Sequence, residues 1–239
     1  MTTRSPVQVH GGSFFAARKR RNMASSTNVF QTDSRYLIIY CDPPWRYRQK
    51  TARGAAERHY PTMSFQELCA LPVANIAAKD CALFLWTTFP QLPEALRLIR
   101  AWGFIYKTAA FVWLKKNKVA DSWFFGLGSY TRSNAEVCLL AVKGKPKRLS
   151  AGVSQVIVHP VMEHSRKPDE VRDRIVELFG NVPRIELFAR QIVPGWDCWG
   201  NEIPDFFQAG CDTIYPVETA IKKVNNGTGS AALGVLGHA

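Results

Sequence analysis

An apolar run that stops on two consecutive prolines constrains this chain more than any other stretch. Tyr36 to Cys41, Tyr-Leu-Ile-Ile-Tyr-Cys, has the length and β-branched character of a strand. Asp42-Pro43-Pro44-Trp45 follows directly. Two prolines fix two φ angles and remove two backbone donors, so the strand ends at Cys41. Asp42 then stands at the carboxyl end of a central strand, where open α/β sheets place their ligand crevices. The carbonyls of Pro43 and Pro44 are expected to point at a ligand, and Trp45 and Tyr47 put flat faces beside it.

These groups suit an aromatic amine. The amino nitrogen of adenine is a poor nucleophile because its lone pair is delocalised into the ring. A carboxylate and a proline carbonyl can both accept its N–H bonds and favour a pyramidal nitrogen with the lone pair freed. A stacked aromatic ring completes the grip, as in enzymes that take a base out of its stack. Positioning and electrostatics then supply the rate of an in-line methyl transfer, without metal or covalent nucleophile. The competing reading is a plain Asp-Pro-Pro turn after a buried strand, with Trp45 merely packing.

Further ordered motifs narrow the choice. They are Arg58-His59-Tyr60-Pro61-Thr62-Met63-Ser64, Leu83-Phe84-Leu85-Trp86, His164-Ser165-Arg166-Lys167-Pro168-Asp169-Glu170, Glu186-Leu187-Phe188-Ala189-Arg190, and Pro194-Gly195-Trp196-Asp197-Cys198-Trp199-Gly200-Asn201-Glu202. With Asp-Pro-Pro-Trp they resemble the MT-A-seventy family of S-adenosylmethionine-dependent adenine-N6 methyltransferases, from about Tyr36 to Glu202. Its short prokaryotic and phage members are the most similar in build.

The resemblance implies a Rossmann-like α/β fold, a mostly parallel sheet with helices on both faces. Its motif order is permuted, with the catalytic strand ahead of the cofactor strand. It implies S-adenosylmethionine as cofactor and Asp42, Pro43, Pro44 and Trp45 as the catalytic set. Asp42, Lys167, Glu186, Phe188, Arg190, Asn201 and Glu202 would contact the cofactor, with Lys167 at its methionine end. Tyr47, Arg58, His59, Tyr60, Arg132 and Asn134 would contact substrate. Where eukaryotic members carry a His-Asn pair in the loop after the cofactor Arg, this chain has Gln191-Ile192-Val193.

Charge points to the partner. Of a net +12, residues 35–202 hold +9, with 24 basic against 15 acidic side chains. A basic catalytic body suits a polyanion, and nucleic acid is the usual one. DNA is favoured over RNA, because the chain is compact and carries no recognisable RNA-binding appendage. A non-catalytic nucleic-acid-binding subunit is the alternative of a different class. The intact Asp42-Pro43-Pro44-Trp45 argues against it.

Six cysteines at 41, 69, 81, 138, 198 and 211 form no Cys-x-x-Cys pair and no zinc-like spacing with the five histidines, so no metal is expected. Cys41, Cys69, Cys81 and Cys138 lie within apolar segments and read as reduced core residues of a cytoplasmic protein. No apolar run reaches membrane-spanning length.

Along the chain, residues 1–34 read as a basic, flexible arm, 35–202 as the catalytic domain, and 203–239 as a tail that is partly disordered. Residues 46–60 read as a lid. Ser64 and Glu67 make a capping box for a helix to about Leu71. Strands are expected over 81–88, 104–114, 137–142 and 184–189, and helices over 93–102 and 168–179, each helix stopped by a glycine. Trp86 reads as core, with a place in the pocket wall as the alternative. The 115–130 loop mixes basic and aromatic residues, which suits a nucleic-acid contact or a homo- or heterodimer interface. The basic turn 143–148 reads as a phosphate contact or a solvated turn.

Overall fold

Seven strands build one mixed sheet in a computed structural model that describes residues 28–46, 62–128, 130–163 and 166–203. Most of the expected arm, nearly all of the lid and the tail lie outside the described residues, as do Tyr47, Arg58, His59 and Tyr60. The strands are β1 Tyr36–Cys41, β2 Ala77–Thr87, β3 Ile105–Lys116, β4 Ala135–Lys143, β5 Val156–Pro160, β6 Arg184–Leu187 and β7 Asp197–Trp199. Their order across the sheet is β5-β3-β4-β2-β1-β6-β7. Only β4 runs against its neighbours, and the other pairings are parallel. The sheet is therefore mostly parallel, as expected.

β1 is apolar throughout because it is buried on both faces between β2 and β6. Ile39 and Cys41 join the core under helices α1 Phe65–Ala70, α2 Val73–Ile76 and α3 Leu92–Ala101. Ile38 and Tyr40 join the opposite core, under helix α4 Glu170–Phe179 through Val171, Ile175 and Phe179. Helices thus cover both faces. The catalytic strand comes first and β6, the expected cofactor strand, comes late and pairs with it directly.

Local signals set the helix ends. Ser64 Oγ accepts from the Glu67 N–H while the Glu67 carboxylate accepts from the Ser64 N–H, completing the capping box. α3 ends in a Schellman motif: the Phe104 N–H donates to Ile99 O, the Gly103 N–H donates to Arg100 O, and Gly103 takes φ 79°.

Two strands were not expected, and one begins early. β5 lies at an edge and β7 is three residues long, so neither carries a full alternation to read. β2 starts at Ala77 rather than Cys81: Ala77 pairs with Tyr36, the exposed pair Lys79-Asp80 sits where the register with β1 shifts, and the ladder resumes at Ala82. The free edge of β5 is capped: Arg174 donates to the carbonyls of Ser154 and Val156, both at 2.8 Å, which removes acceptors another strand would use.

Candidate active site

The chain leaves β1 for β2 on one side and returns to β6 on the other, so the carboxyl end of β1 is the switch point of the sheet. Cys41 pairs with Leu187 there, which sets Asp42 beside Phe188 at one edge. Antiparallel β4 starts where β2 ends, with Val137 opposite Thr87, so Glu136 shares that edge. α4 also begins there and brings Lys167.

Lys167 Nζ lies 2.6 Å from Asp42 Oδ2 and 3.2 Å from Glu136 Oε2. Lys115, at the end of β3, closes on Glu136 Oε1 at 2.5 Å. Four charged side chains from four elements thus form one chain of contacts, two cations alternating with two carboxylates. Lys167 also sits 5.6 Å over the Trp86 ring. Trp86 is buried, and its indole N–H donates to Tyr40 O–H at 2.9 Å, so it is at once core and floor of the site.

The electrostatics follow from burial and pairing. Burial pushes the Glu136 carboxyl up, but Lys167 and Lys115 more than offset it and hold the group below its ordinary range. Burial pushes Lys167 down, and Asp42 and Glu136 together raise it well above the ordinary lysine range. Lys167 is therefore a fixed cation and no base. Lys167 holds Asp42 Oδ2, and Asp42 Oδ1 accepts no hydrogen bond among the described residues.

Three expected site groups also have structural partners. Trp45 is buried in the core, with its indole N–H donating to Trp86 O at 3.2 Å. It pins the proline turn to β2, and stacking on a base would require it to leave that packing. The proline carbonyls are already in use: Pro43 O accepts the Trp45 N–H at 2.8 Å and Pro44 O the Met63 N–H at 2.9 Å, leaving each one lone pair. Glu186 is tied to α4. Both its oxygens are held by Arg172, at 2.7 and 2.9 Å, in a buried bidentate pair that ties α4 to β6. Burial raises the Glu186 carboxyl even against that guanidinium.

The β6–β7 side is a pair of zipped loops. Phe188 has φ 61°, a strained value for a bulky residue of the kind that clusters at functional sites. Its ring meets Trp199 edge-on at 5.5 Å. The Ala189 N–H donates to Trp199 O at 2.9 Å, and Ala189, Cys198 and Ile203 form a small apolar cluster. Arg190 Nε lies 3.8 Å from Glu202 Oε1, and Asn201 is exposed beside them. Gly200 makes the zip possible: a Cβ there would lie 2.2 Å from Ala189 O. Gly200→Ala should force the loops apart and cost about 1–3 kcal/mol. A thermal melt unchanged from wild type would show that the zip contributes nothing.

Arg132 is exposed and Asn134 half-buried in the loop before β4, and neither side chain is hydrogen-bonded to Asp42, Lys167 or Glu136. The basic turn 143–148 lies at the opposite end of the sheet, where Lys143 pairs with Cys81, so it shares no edge with Asp42. Sequence reasoning missed Glu136, Lys115 and Arg172. Only the charge inside otherwise apolar strands marked the first two.

Comparison with known proteins gives the family. The MT-A70 family model matches residues 36–202. The chain is 39% identical over 191 residues to the type II methyltransferase M.MunI of a Mycoplasma species, covering 72% of this chain and 79% of that protein. It is 31% identical over 173 residues to the N(6)-adenosine-methyltransferase MT-A70-like protein of Drosophila melanogaster, and 29% identical over 173 to the catalytic subunit METTL3 of Homo sapiens. Each of these covers 71% of this chain, which spans only 27% and 28% of those longer proteins. No helix among the described residues is long and apolar enough to cross a membrane. The chain belongs to the MT-A70 family of adenine-N6 methyltransferases.

Proposed function

We propose that this chain methylates the exocyclic amino group of adenine in DNA, with S-adenosylmethionine as donor. The observation that carries the reading is Asp42 at the switch point, with Oδ2 held by Lys167 and Oδ1 without a hydrogen bond among the described residues. The cofactor fits the residues present. The zipped loops bring backbone, Phe188, Arg190, Asn201 and Glu202 to the same edge as Asp42, on the side suited to an adenosine. Lys167 marks the side suited to an amino-acid carboxylate. When bound, the cofactor supplies an electrophilic methyl group.

The chain's own residues do the rest. Asp42 Oδ1 accepts one amine N–H and aligns the nitrogen. Lys167 holds Asp42 in place, so no reorganisation is needed as charge develops on the nitrogen. The amine proton becomes acidic only as the new N–C bond forms, and passes by Asp42 to solvent. Asp42 need not be a strong base.

DNA is favoured over RNA by the higher identity to the short type II methyltransferase than to the N(6)-adenosine enzymes, 39% against 29–31%. The test is transfer of labelled methyl to adenine-containing DNA and RNA of the same sequence, single- and double-stranded. Preference for DNA is expected. A strong preference for RNA would overturn the choice of polymer.

A further inference from the structure

The loop from 117 to 134 joins β3 to β4 at the edge that carries Asp42. It is built, not slack. The Asn117 N–H donates to Ser122 O and the Phe124 N–H to Lys115 O, which makes a first reversal. The Gly126 N–H donates to Ser133 O at 2.7 Å, which makes a second. A Cβ on Gly126 would lie 2.8 Å from Ser133 O, so the two arms of this second reversal touch through a glycine. Yet this ordered backbone holds large apolar side chains out in solvent: Trp123 is 43% exposed, Phe125 58%, Leu127 68% and Tyr130 fully exposed. A fixed loop that presents four such side chains has a partner to cover them.

The charge around them says which kind. Lys115, Lys116, Lys118 and Arg132 stand against the single acid Asp121 between 115 and 134. Lys116 Nζ lies 4.7 Å over the Trp123 ring, so cation and ring are presented together. Lys115 is the outer end of the Lys115–Glu136–Lys167–Asp42 chain, which ties the loop's root to the reacting edge. Aromatic rings interleaved with cations match successive bases and phosphates of an unpaired strand. Stacking is tolerant of sequence, and paired bases do not offer their faces.

We propose that Trp123, Phe125 and Tyr130 form a stacking platform for unpaired bases next to the target adenine, with the exposed Arg132 and Lys118 on the phosphates; Lys115 and Lys116 stay on Glu136 and Asp121. This deepens the proposed function and rests on it for the identity of the target base. The platform itself requires only that the strand bind. Adenine methylation on an unpaired or locally opened strand would follow.

The test uses the full chain and a single-stranded oligodeoxynucleotide with 2-aminopurine beside one adenine. Wild type should bind it, quench the probe, and bind the matched duplex more weakly. Trp123→Ala with Tyr130→Ala should weaken binding about ten- to hundred-fold and abolish the quench. Trp123→Phe should restore most of both. Far-UV circular dichroism and the thermal melt report that the variants are folded. Unchanged strand binding and quench in the double variant would overturn the platform. So would a wild-type dimer that the double variant dissociates with per-subunit strand binding intact, since the patch would then be a protein interface. Quenched, Trp123-dependent binding without methyl transfer would keep the platform and remove the proposed activity instead.

Discussion

Asp42→Ala should abolish methyl transfer while leaving S-adenosylmethionine affinity within about threefold of wild type, since the cofactor's remaining contacts lie elsewhere. In the proposed reaction the group removed is the charged acceptor that orients the reacting nitrogen. Preorganised acceptors and donors of this kind are worth about 10²–10³ in rate, and general acid–base roles add to that. The loss should fall on kcat rather than KM, because the amine's charge develops only as the bond forms. Asp42→Asn is the sharper variant. Its amide oxygen can still accept from Lys167, so the fold keeps that contact, but the charge that stabilises a developing ammonium is gone. Single-turnover rates with labelled donor separate chemistry from product release. Equal rates in Asp42→Asn and wild type would take the carboxylate out of the mechanism and leave it a structural partner of Lys167.

The frame of the site was written locally, and its wiring was not. β1 was legible because burial on both faces demands an unbroken apolar run, and the two prolines stop it in one place. α1 and α3 were legible because the Ser64–Glu67 box and Gly103 act within a few residues of the ends they set. Lys167 and Asp42 are 125 positions apart, and only the family resemblance brought them to one site. Even so, the carboxylates that meet Lys167 are the chain's own, Asp42 and Glu136. Glu136 escaped notice because a single acid at the head of a strand looks like a solvated end. Its burial depends on two lysines from β3 and α4 arriving from either side. Glu186 is the opposite case: a carboxylate at a strand end beside a cofactor loop suits a ribose. Its neighbour across the α4 face is Arg172, and the bidentate guanidinium takes one lone pair of each oxygen.

The second large effect lies in that wiring. Lys167→Met should lower stability by about 3–5 kcal/mol at neutral pH, because it leaves Glu136 buried with one cation and Asp42 with none. The pH dependence is what separates this from simple loss of packing. In wild type the depressed Glu136 contributes stability that is present above the ordinary glutamate range and is lost as pH falls through it. The raised Lys167 contributes stability that is fully present below the ordinary lysine range and is lost only in strong alkali, as pH rises past its raised value. In the variant, burial acts on Glu136 with Lys167 gone, so the carboxyl rises and protonation relieves the penalty. The stability gap between the two proteins should therefore be widest from about pH 7 to 9 and narrow steadily towards about pH 5. Adding Glu136→Gln to Lys167→Met should recover part of the loss at pH 7, because the orphaned charge is removed with its cation. Denaturant titrations of the three proteins across that range measure all of this. A gap under about 1 kcal/mol that does not move with pH would mean that the ion chain is solvated, and that Lys167 holds neither Asp42 nor Glu136 in place.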